Sequence, residues 1–462
     1  MALVETTENT PEERKKLPVN RVILLFFLGV MLPTSVSVNL GGLRLSAYRV
    51  VLILAFVPMM IQLLSGKKGK ISIFDILVLA HCGWVFLALV NWGGVAQAIE
   101  TGGIYTVEFA GAYFLGRLFI RSYDDYEAFA RFFTTLMMIL LLFTIPEAVT
   151  GIHILYDFFA ASTGSPRAPF IEKRMGLERT FGPFDHPILY GVFSASAFSM
   201  AYFVIQKKDM MNFKGLGVSF GVCVATFVSA SGGPYVVLVM QIFVAAYERA
   251  LSAFKLRWPL LFSIFGITYI SIDMLSNRTP FHVFISHFTF SAQSAYNRIN
   301  LWDYGTAAVG RHPILGIGMG DWIRAPWMSD GMDNFGLLIA VRYGLPALFF
   351  LLCLMLGLLW VSGRRKDVPA EWKRARHAWA FTLFGISVAA ATVHLWNALF
   401  VLFLFMMGSG AWLTDAPLPG EEDEDGKNKD DPPDDDELAP EPPRFSRNSA
   451  TDHRPIAKET FF

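Results

Sequence analysis

Residues 294–345 read SAYNRINLWDYGTAAVGRHPILGIGMGDWIRAPWMSDGMDNFGLLIAVRYGL and lie between two strongly apolar segments, near 259–275 and 347–361. This stretch contains too many Arg, Asp, Trp and Gly residues to cross a bilayer. It is also longer than the roughly 12–15 residues beyond which loops in compact proteins are usually functional or disordered. Apolar and charged residues alternate along it, which argues against disorder. We therefore expect a long, ordered loop between two membrane spans.

Two amphipathic helices are expected within this loop. The first covers 295–308 and presents Arg298 away from its apolar side. The second covers 335–343, directly after Asp333 and Asn334. A Gly-Leu-Pro sequence then breaks it before the next span, because proline disrupts a helix interior.

Alternating glycines lie between the two helices, at Gly316, Gly318 and Gly320. Such glycines suit a tight turn or a close approach of the backbone to a ligand. No strand precedes them, so a dinucleotide-binding fingerprint is excluded.

The composition indicates an all-α, polytopic integral membrane protein. The chain is 53% hydrophobic and 17% charged, whereas soluble domains carry about 25% charged residues. A span needs about 20 apolar residues, and we predict about twelve. Their centres lie near Leu28, Leu54, Leu79, Tyr113, Leu140, Ala195, Val222, Val239, Phe265, Leu354, Ile386 and Leu402. Only a short turn near 394–397 separates the last two, so eleven spans are the alternative.

The net charge of zero hides an asymmetry. Residues 415–462 carry 6 basic and 15 acidic residues, which leaves 33 basic and 24 acidic residues in the rest of the chain. The acidic segment is too poor in apolar residues to offset the entropy of ordering, so we expect a disordered cytoplasmic tail. The predicted organisation is a cytoplasmic segment at 1–19, a transmembrane domain at 20–414 and this tail.

Lys and Arg residues predict the orientation, because they accumulate in cytoplasmic loops. Basic segments on one side of the predicted spans lie near 13–16, 67–70, 117–131, 207–214, 248–257 and 364–376. With twelve spans, both termini are cytoplasmic and two long loops, 150–185 and 277–346, are external. The first 19 residues are hydrophilic and mixed in charge, so no cleaved signal peptide is expected.

The two long loops depart from that charge bias. The first contains Arg174, Arg179 and His186, and the second contains Arg298 and Arg311. Arginine matches phosphate oxygens with two parallel hydrogen bonds and stays charged. We therefore expect the external loops to bind an anion, such as a membrane-embedded phosphate.

The loop motifs resemble those of the O-antigen ligase/polymerase superfamily. One match runs from Arg298 through Trp302 to the HPILGIG sequence at 312–318, and then to Asp333-Asn334 and Tyr343-Gly344. The other is RTFG at 179–182 followed by His186-Pro187 before a span. These motifs cover about 80 residues, and the resemblance in topology extends over most of the chain.

The resemblance implies a metal-independent glycosyltransferase that uses no cofactor. Its donor is a glycan carried on undecaprenyl diphosphate, and transfer to a sugar hydroxyl takes place at the external face of the bacterial cytoplasmic (inner) membrane. The acceptor is another lipid-linked repeat in polymerases, or lipid A-core in ligases of lipopolysaccharide synthesis. Flippase, copolymerase and export proteins are implied as partners in exopolysaccharide biosynthesis, and nucleic acid is not.

Two departures from the family pattern matter. The usual His-Asn pair is Asp333-Asn334 here, and the usual Ser-Arg-Gly at the start of one span is Ser231-Gly232-Gly233. The missing histidine argues against the ligase subgroup and favours a polymerase.

By this resemblance, the expected catalytic residues are Arg179, Arg298 and Asp333. The arginines would stabilise the charge that develops on the leaving diphosphate. Asp333 would accept the proton of the attacking hydroxyl; its alternative role is to cap the helix that follows.

Residues expected to bind substrate are Arg174, Arg311, His186, Asn334, Trp302, Gly316 and Gly318. Trp302, Trp322 and Trp327 could stack on sugars or belong to an interfacial belt, which we favour. Glu108, Glu147 and Asp273 lie within or near spans and are candidates because acids within membranes are commonly functional. Glu147 and Asp273 lie near the external ends of their spans, so simple hydration is their alternative. The His, Cys and carboxylate spacing suggests no metal site.

Two other classes of function remain as alternatives. A transporter or flippase would have inverted repeats around a site at the midplane, and the chain shows no internal repeat. A non-catalytic scaffold of a polysaccharide assembly complex would tolerate replacement of Arg298 and Asp333.

Overall fold

The computed structural model describes residues 18–40, 43–66, 68–164, 167–206, 212–287 and 292–418. The predicted acidic tail from 419 onward, and 1–17 of the N-terminal segment, lie outside these residues. The described helices are α1 (Arg21–Val30), α2 (Ala47–Leu64), α3 (Ile73–Gln97), α4 (Gly103–Phe119), α5 (Tyr123–Thr150), α6 (Ile154–Thr163), α7 (Pro187–Ala195), α8 (Phe198–Met200), α9 (Phe213–Val228), α10 (Gly232–Ala250), α11 (Arg257–Leu275), α12 (Pro280–His287), α13 (Ala292–Arg311), α14 (Phe335–Arg364), α15 (Ala370–Ala390), α16 (Ala398–Ser409) and α17 (Trp412–Asp415). Two π-helical turns, Ala98–Gly102 and Ala201–Ile205, join neighbouring helices. Strands β1 (Ser37–Leu40) and β2 (Leu43–Ser46) form a small antiparallel hairpin with Ser37 paired to Ser46.

The architecture is that of an all-α membrane protein. Within the described residues, seven segments are long and apolar enough to cross a membrane. They are Ala47–Leu64, Ile73–Phe119, Tyr123–Thr150, Pro187–Ile205, Arg257–Leu275, Phe335–Arg364 and Ala398–Asp415. Each of the twelve predicted centres lies in a helix. The number of spans and the sidedness of the loops stay predictions, because α1, for example, is only about 15 Å long.

Helix α16 lies at the centre of the bundle, and all twelve of its residues are buried. It packs closely on α4 because glycines face each other across the contact. A Cβ atom on Gly408 would come within 2.0 Å of the Tyr113 carbonyl oxygen, and one on Gly116 within 2.5 Å of the Phe405 carbonyl oxygen. Small residues let the backbones of membrane helices approach in this way.

The loop between α11 and α14 contains two helices, α12 and α13. The predicted helix over 295–308 lies within α13. The predicted second helix forms the first turns of α14, which is interrupted at Gly344 (φ 82°). The predicted break is therefore a kink inside one long helix.

The glycine run packs against this kink. Pro346 has no N–H to donate to the Arg342 carbonyl oxygen, as a helix would require. The Gly318 N–H donates to that oxygen instead, at 2.8 Å, and the Leu345 N–H donates to the Pro313 carbonyl oxygen, also at 2.8 Å. The loop thus satisfies backbone groups that the kink leaves without helical partners.

Replacing Gly344 by Ala should destabilise the protein strongly. The positive φ alone costs about 1–3 kcal/mol for a residue with a side chain, and the new Cβ would lie 1.9 Å from the Ile314 carbonyl oxygen. Thermal unfolding in detergent should show the loss. Gly310→Ala is the matched control, because Gly310 is in α13 and a Cβ there meets nothing within 4 Å. Equal melting temperatures for the two variants would contradict this account of the kink.

Candidate functional site

Asp333 and Arg298 line the same small cavity, although they lie 35 positions apart in the sequence. The cavity has a volume of about 260 Å³, and Trp327 and Ser329 also line it. Helix α13 carries Arg298, and the segment before α14 carries Asp333. The Trp327 ring is 58% exposed and stacks on Tyr296 with ring centroids 5.9 Å apart. It therefore presents an aromatic face beside the two charged groups.

The two charges modify each other. The cavity walls remove part of the water around the Asp333 carboxyl, and this desolvation raises its pKa. The positive charge of Arg298 and the backbone N–H of His394 oppose that shift. Burial lowers the pKa of Arg298, while Asp333 raises it. The result is a carboxylate that is more basic than usual, which suits a proton acceptor, and a cation lies beside it.

Asn334, not Asp333, caps α14. The Asn334 Oδ1 atom accepts a hydrogen bond from the Leu337 N–H at 2.9 Å, and the helix begins at Phe335. The alternative role for Asp333, as the cap of a helix beginning at Asn334, is therefore corrected by one position. Asn334 itself is buried, and its side-chain oxygen is engaged in capping.

A second charged pair is formed by two cations, Arg179 and its neighbour Arg174. The Arg179 guanidinium is buried, and Nη2 donates to the Ser231 Oγ atom at 2.8 Å. Its Nε has no hydrogen-bond partner among the described residues. Burial, followed by the nearby charge of Arg174, lowers the pKa of Arg179 to about 10, and Tyr235 opposes the shift. Two neighbouring cations of this kind are suited to an anion.

Glu147 holds the segment that carries Arg179. Its Oε1 atom accepts hydrogen bonds from the backbone N–H groups of Phe181 at 2.8 Å and Gly182 at 3.3 Å. The same oxygen lies 2.7 Å from the His153 Nδ1 atom. On the other side, the Thr180 hydroxyl donates to the Val228 carbonyl oxygen at 2.9 Å. Glu147, for which the sequence left simple hydration as the alternative, therefore holds the segment that positions Arg179.

His186 lies beside the two arginines and caps α7. Its Nδ1 atom accepts a hydrogen bond from the Ile188 N–H at 3.1 Å, which requires an unprotonated nitrogen. Burial, followed by the charges of Arg179 and Arg174, lowers the pKa of His186 to about 4. The imidazole is therefore neutral at pH 7.

Acidification should destabilise the protein in part through His186. The unfolded pKa is about 6.5 and the folded pKa is about 4, so the unfolded chain binds more protons between these values. The contribution is complete above pH 6.5 and is lost as the pH falls toward 4. His186→Asn keeps a capping side chain that does not titrate. Its melting temperature should fall less than that of the wild type between pH 7.5 and 5, and identical slopes would contradict this assignment.

The turn at 392–397 connects the two groups of charges. The Thr392 carbonyl oxygen accepts a hydrogen bond from the Arg298 Nε atom at 3.3 Å, and the backbone N–H of His394 is close enough to Asp333 to lower the pKa of its carboxyl. The Trp396 ring centroid lies 6.2 Å from that of His186. The turn therefore contacts both the cavity and the histidine that lies beside the arginine pair.

The same turn is held under backbone strain. Asn397 has a φ of 47°, and a non-glycine residue there costs about 1–3 kcal/mol. Its Nδ2 atom donates to the Asp185 Oδ2 atom at 3.0 Å, and the Thr34 hydroxyl donates to the other oxygen of that carboxylate at 2.7 Å. The sequence pattern predicts only a short turn between two spans here. The His, Trp and Asn residues between two apolar segments are the feature that could have marked the turn as part of a site.

Other predicted site residues lie elsewhere. The Trp302 ring stacks on Phe281 at 4.3 Å, so its stacking partner is protein. Gly316 and Gly318 approach α14 and Trp92 closely, which gives them a packing role. Arg311 is exposed and lies 13 residues along α13 from Arg298, a distance of about 20 Å. The structure does not bring Arg311 to the cavity.

Comparison with known proteins gives no match to any protein-family model, and no curated protein matches the chain. Among the residues that the structure describes, no three His, Cys, Asp or Glu side chains lie close enough together to hold a metal ion.

Proposed function

We propose that the protein is a bacterial inner-membrane glycosyltransferase that polymerises oligosaccharide repeats carried on undecaprenyl diphosphate. The observation that carries this proposal is the turn at 392–397. Arg298 donates to its Thr392 carbonyl oxygen, its His394 N–H acts on Asp333, and its Trp396 ring lies beside His186, whose pKa is lowered by burial and by the charges of Arg179 and Arg174. The Asp333–Arg298 cavity is suited to activating a hydroxyl, and the arginine pair to holding a diphosphate. A transfer reaction between those two groups needs both.

The reaction follows from this arrangement. The acceptor hydroxyl oxygen forms a bond to the anomeric carbon of the donor glycan, and its proton passes to the Asp333 carboxylate. The bond from that carbon to the diphosphate oxygen breaks, and the diphosphate leaves with the electron pair. The buried guanidinium of Arg179 stabilises the charge on the leaving group, since preorganised cations act most strongly where water is excluded.

An apolar groove supports a lipid-linked donor. It has a volume of about 520 Å³ and runs between α13, α14 and α15, where Leu348 and Leu352 line it. Asn334 also lines it and is adjacent to Asp333, so the groove ends beside the cavity. A polyprenyl chain in the groove would leave its diphosphate near the site.

A ligase that transfers glycan to lipid A-core uses the same chemistry and is the alternative within the enzyme class. Asp333 in place of the usual histidine favours the polymerase. A transporter of lipid-linked sugars is the alternative of another class. It is disfavoured because the charged residues of the proposed site lie in the two long segments between α6 and α7 and between α11 and α14, while transporter sites lie near the midplane.

The glycan size distribution in cells that lack the gene, complemented with the wild-type gene, tests the proposal. A polymerase restores long polymer, and single lipid-linked repeats accumulate without it. Polymer that forms but stays unattached to lipid A-core would identify a ligase instead. Repeats retained on the cytoplasmic side would identify a transporter and would overturn the enzyme proposal.

A further inference from the structure

A basic pocket lies at the far end of two helices, α10 and α15, whose other ends contact the candidate site. Helix α15 begins at Ala370, which lines this pocket, and ends two residues before Thr392, which contacts Arg298. Its 21 residues span about 30 Å, close to the thickness of the hydrocarbon core of a bilayer. Helix α10 runs in the opposite direction, from Ser231, the partner of Arg179, to the pocket. The pocket and the site therefore lie at opposite ends of α10 and α15.

The pocket concentrates positive charge. It has a volume of about 480 Å³ and is lined by five Arg or Lys side chains. Glu248 is its only acidic lining residue among those described, and it is engaged by Arg257 at 2.7 and 2.9 Å. Arg249, Lys373, Arg374 and Arg376 also line the pocket. Of these, Arg376 donates to the carbonyl oxygens of Ser362 and Arg365 at 2.9 and 3.1 Å, and Arg374 interacts with Tyr123. Cations gathered around one cavity repel each other unless an anion lies between them.

The pocket wall has a second unusual feature. The π-helical turn Ala201–Ile205 carries Tyr202 and Phe203 into the lining, and π-helical turns are frequent at functional sites. The Phe203 ring lies 5.6 Å from that of His377, which stacks on Phe381. Basic residues in cytoplasmic loops are common, but here they converge on a cavity with an aromatic wall.

We propose that this pocket binds a phosphate-bearing ligand on the face of the membrane opposite the Asp333–Arg298 cavity. Arginine and lysine side chains from α10 and α15 would hold the phosphate oxygens. The phosphate belongs either to a soluble nucleotide or to the headgroup of an anionic phospholipid. This proposal is independent of the reaction assigned to the other site.

The test uses the full chain in nanodiscs. Calorimetric titration with ADP and with inorganic diphosphate in phosphatidylcholine nanodiscs probes a soluble ligand. Native mass spectrometry after incubation in equal parts of phosphatidylcholine and phosphatidylglycerol probes a lipid. Arg249 and Lys373 are exposed, so the double variant Arg249→Gln, Lys373→Gln removes two charges and leaves the Glu248–Arg257 pair intact.

We expect binding in at least one arm, weakened about ten-fold for each cation removed. Lys366→Gln is the matched control, because Lys366 is exposed in the segment before α15 and does not line the pocket; its binding should equal that of the wild type. Weakened ADP or diphosphate binding identifies a soluble ligand, and weakened phosphatidylglycerol retention identifies a headgroup. The proposal is overturned if neither probe binds, or if the double variant and Lys366→Gln bind alike.

Discussion

Replacing Asp333 by Asn should lower polymer formation by about 10²- to 10⁴-fold, the range expected when a positioned general base is lost. The Asn side chain has nearly the same shape but does not accept the hydroxyl proton. Arg298→Ala should lower the rate by about 10²- to 10³-fold, as the removal of one charge-stabilising donor does. Both effects should appear in the turnover of purified protein with a lipid-diphosphate donor, measured at equal protein concentrations.

Two controls separate the cavity from its surroundings. Asp330→Asn changes an exposed acid three positions away, and only its backbone oxygen has a described contact, with the Trp322 indole. Arg311→Ala changes an arginine that the sequence pattern favours but that lies about 20 Å from Arg298 along α13. Both should retain activity within a few-fold of the wild type. Full activity in Asp333→Asn would refute its role as the base.

Replacing Arg179 by Met should reduce activity by about 10²- to 10³-fold and at the same time leave the protein as stable as the wild type, or more stable. Burial lowers the pKa of this guanidinium to about 10, which means that its charge is held at a cost to folding. An apolar side chain of similar length removes that cost. If Arg179 had only a structural role, its replacement would give the opposite result: the protein would be less stable, and turnover would change little.

The measurement is turnover together with the melting temperature of the same preparation. Arg179→Lys keeps the charge but loses the bidentate geometry, so its activity should lie between those of Met and Arg. Arg167→Gln, at an exposed position of the same loop, is the control and should change neither quantity. Normal activity in Arg179→Met would remove this residue from the proposed diphosphate site.

The charged residues of the proposed site could be selected from the sequence. Arg179, Arg298 and Asp333 stand out because charge is rare in this chain, and the structure places Arg298, Asp333 and His186 beside one turn. That these residues lie near one another could be predicted only from the expectation that the two long loops lie on the same side of the membrane.

Backbone-mediated contacts were not predictable in the same way. Thr392 and His394 act through a carbonyl oxygen and an N–H group, which every residue possesses, so no side-chain pattern marks them. Gly316 and Gly318 have positive φ values of 62° and 56°, as their spacing suggested. The sequence did not distinguish close approach to a ligand from close approach to another helix, and the structure shows the latter.

The aromatic residues show the same limit. Trp302 and Trp327 lie in the same loop, and their sequence contexts do not separate them. In the structure one ring is stacked on Phe281, and the other is exposed at the cavity. Exposure of one face depends on the neighbours that folding supplies, here Phe281 and Tyr296.

The position of the 392–397 turn limits how the long loops can be exchanged between related proteins. The two long loops contribute most of the charged groups of the proposed site. Each loop also contacts the 392–397 turn, which belongs to neither of them. Exchanging 277–346 for the corresponding loop of another protein would transplant Arg298 and Asp333 without the carbonyl and N–H groups that hold them. Chimaeras designed to alter sugar specificity should therefore exchange the strained 392–397 turn together with the 277–346 loop, so that both come from the same parent protein.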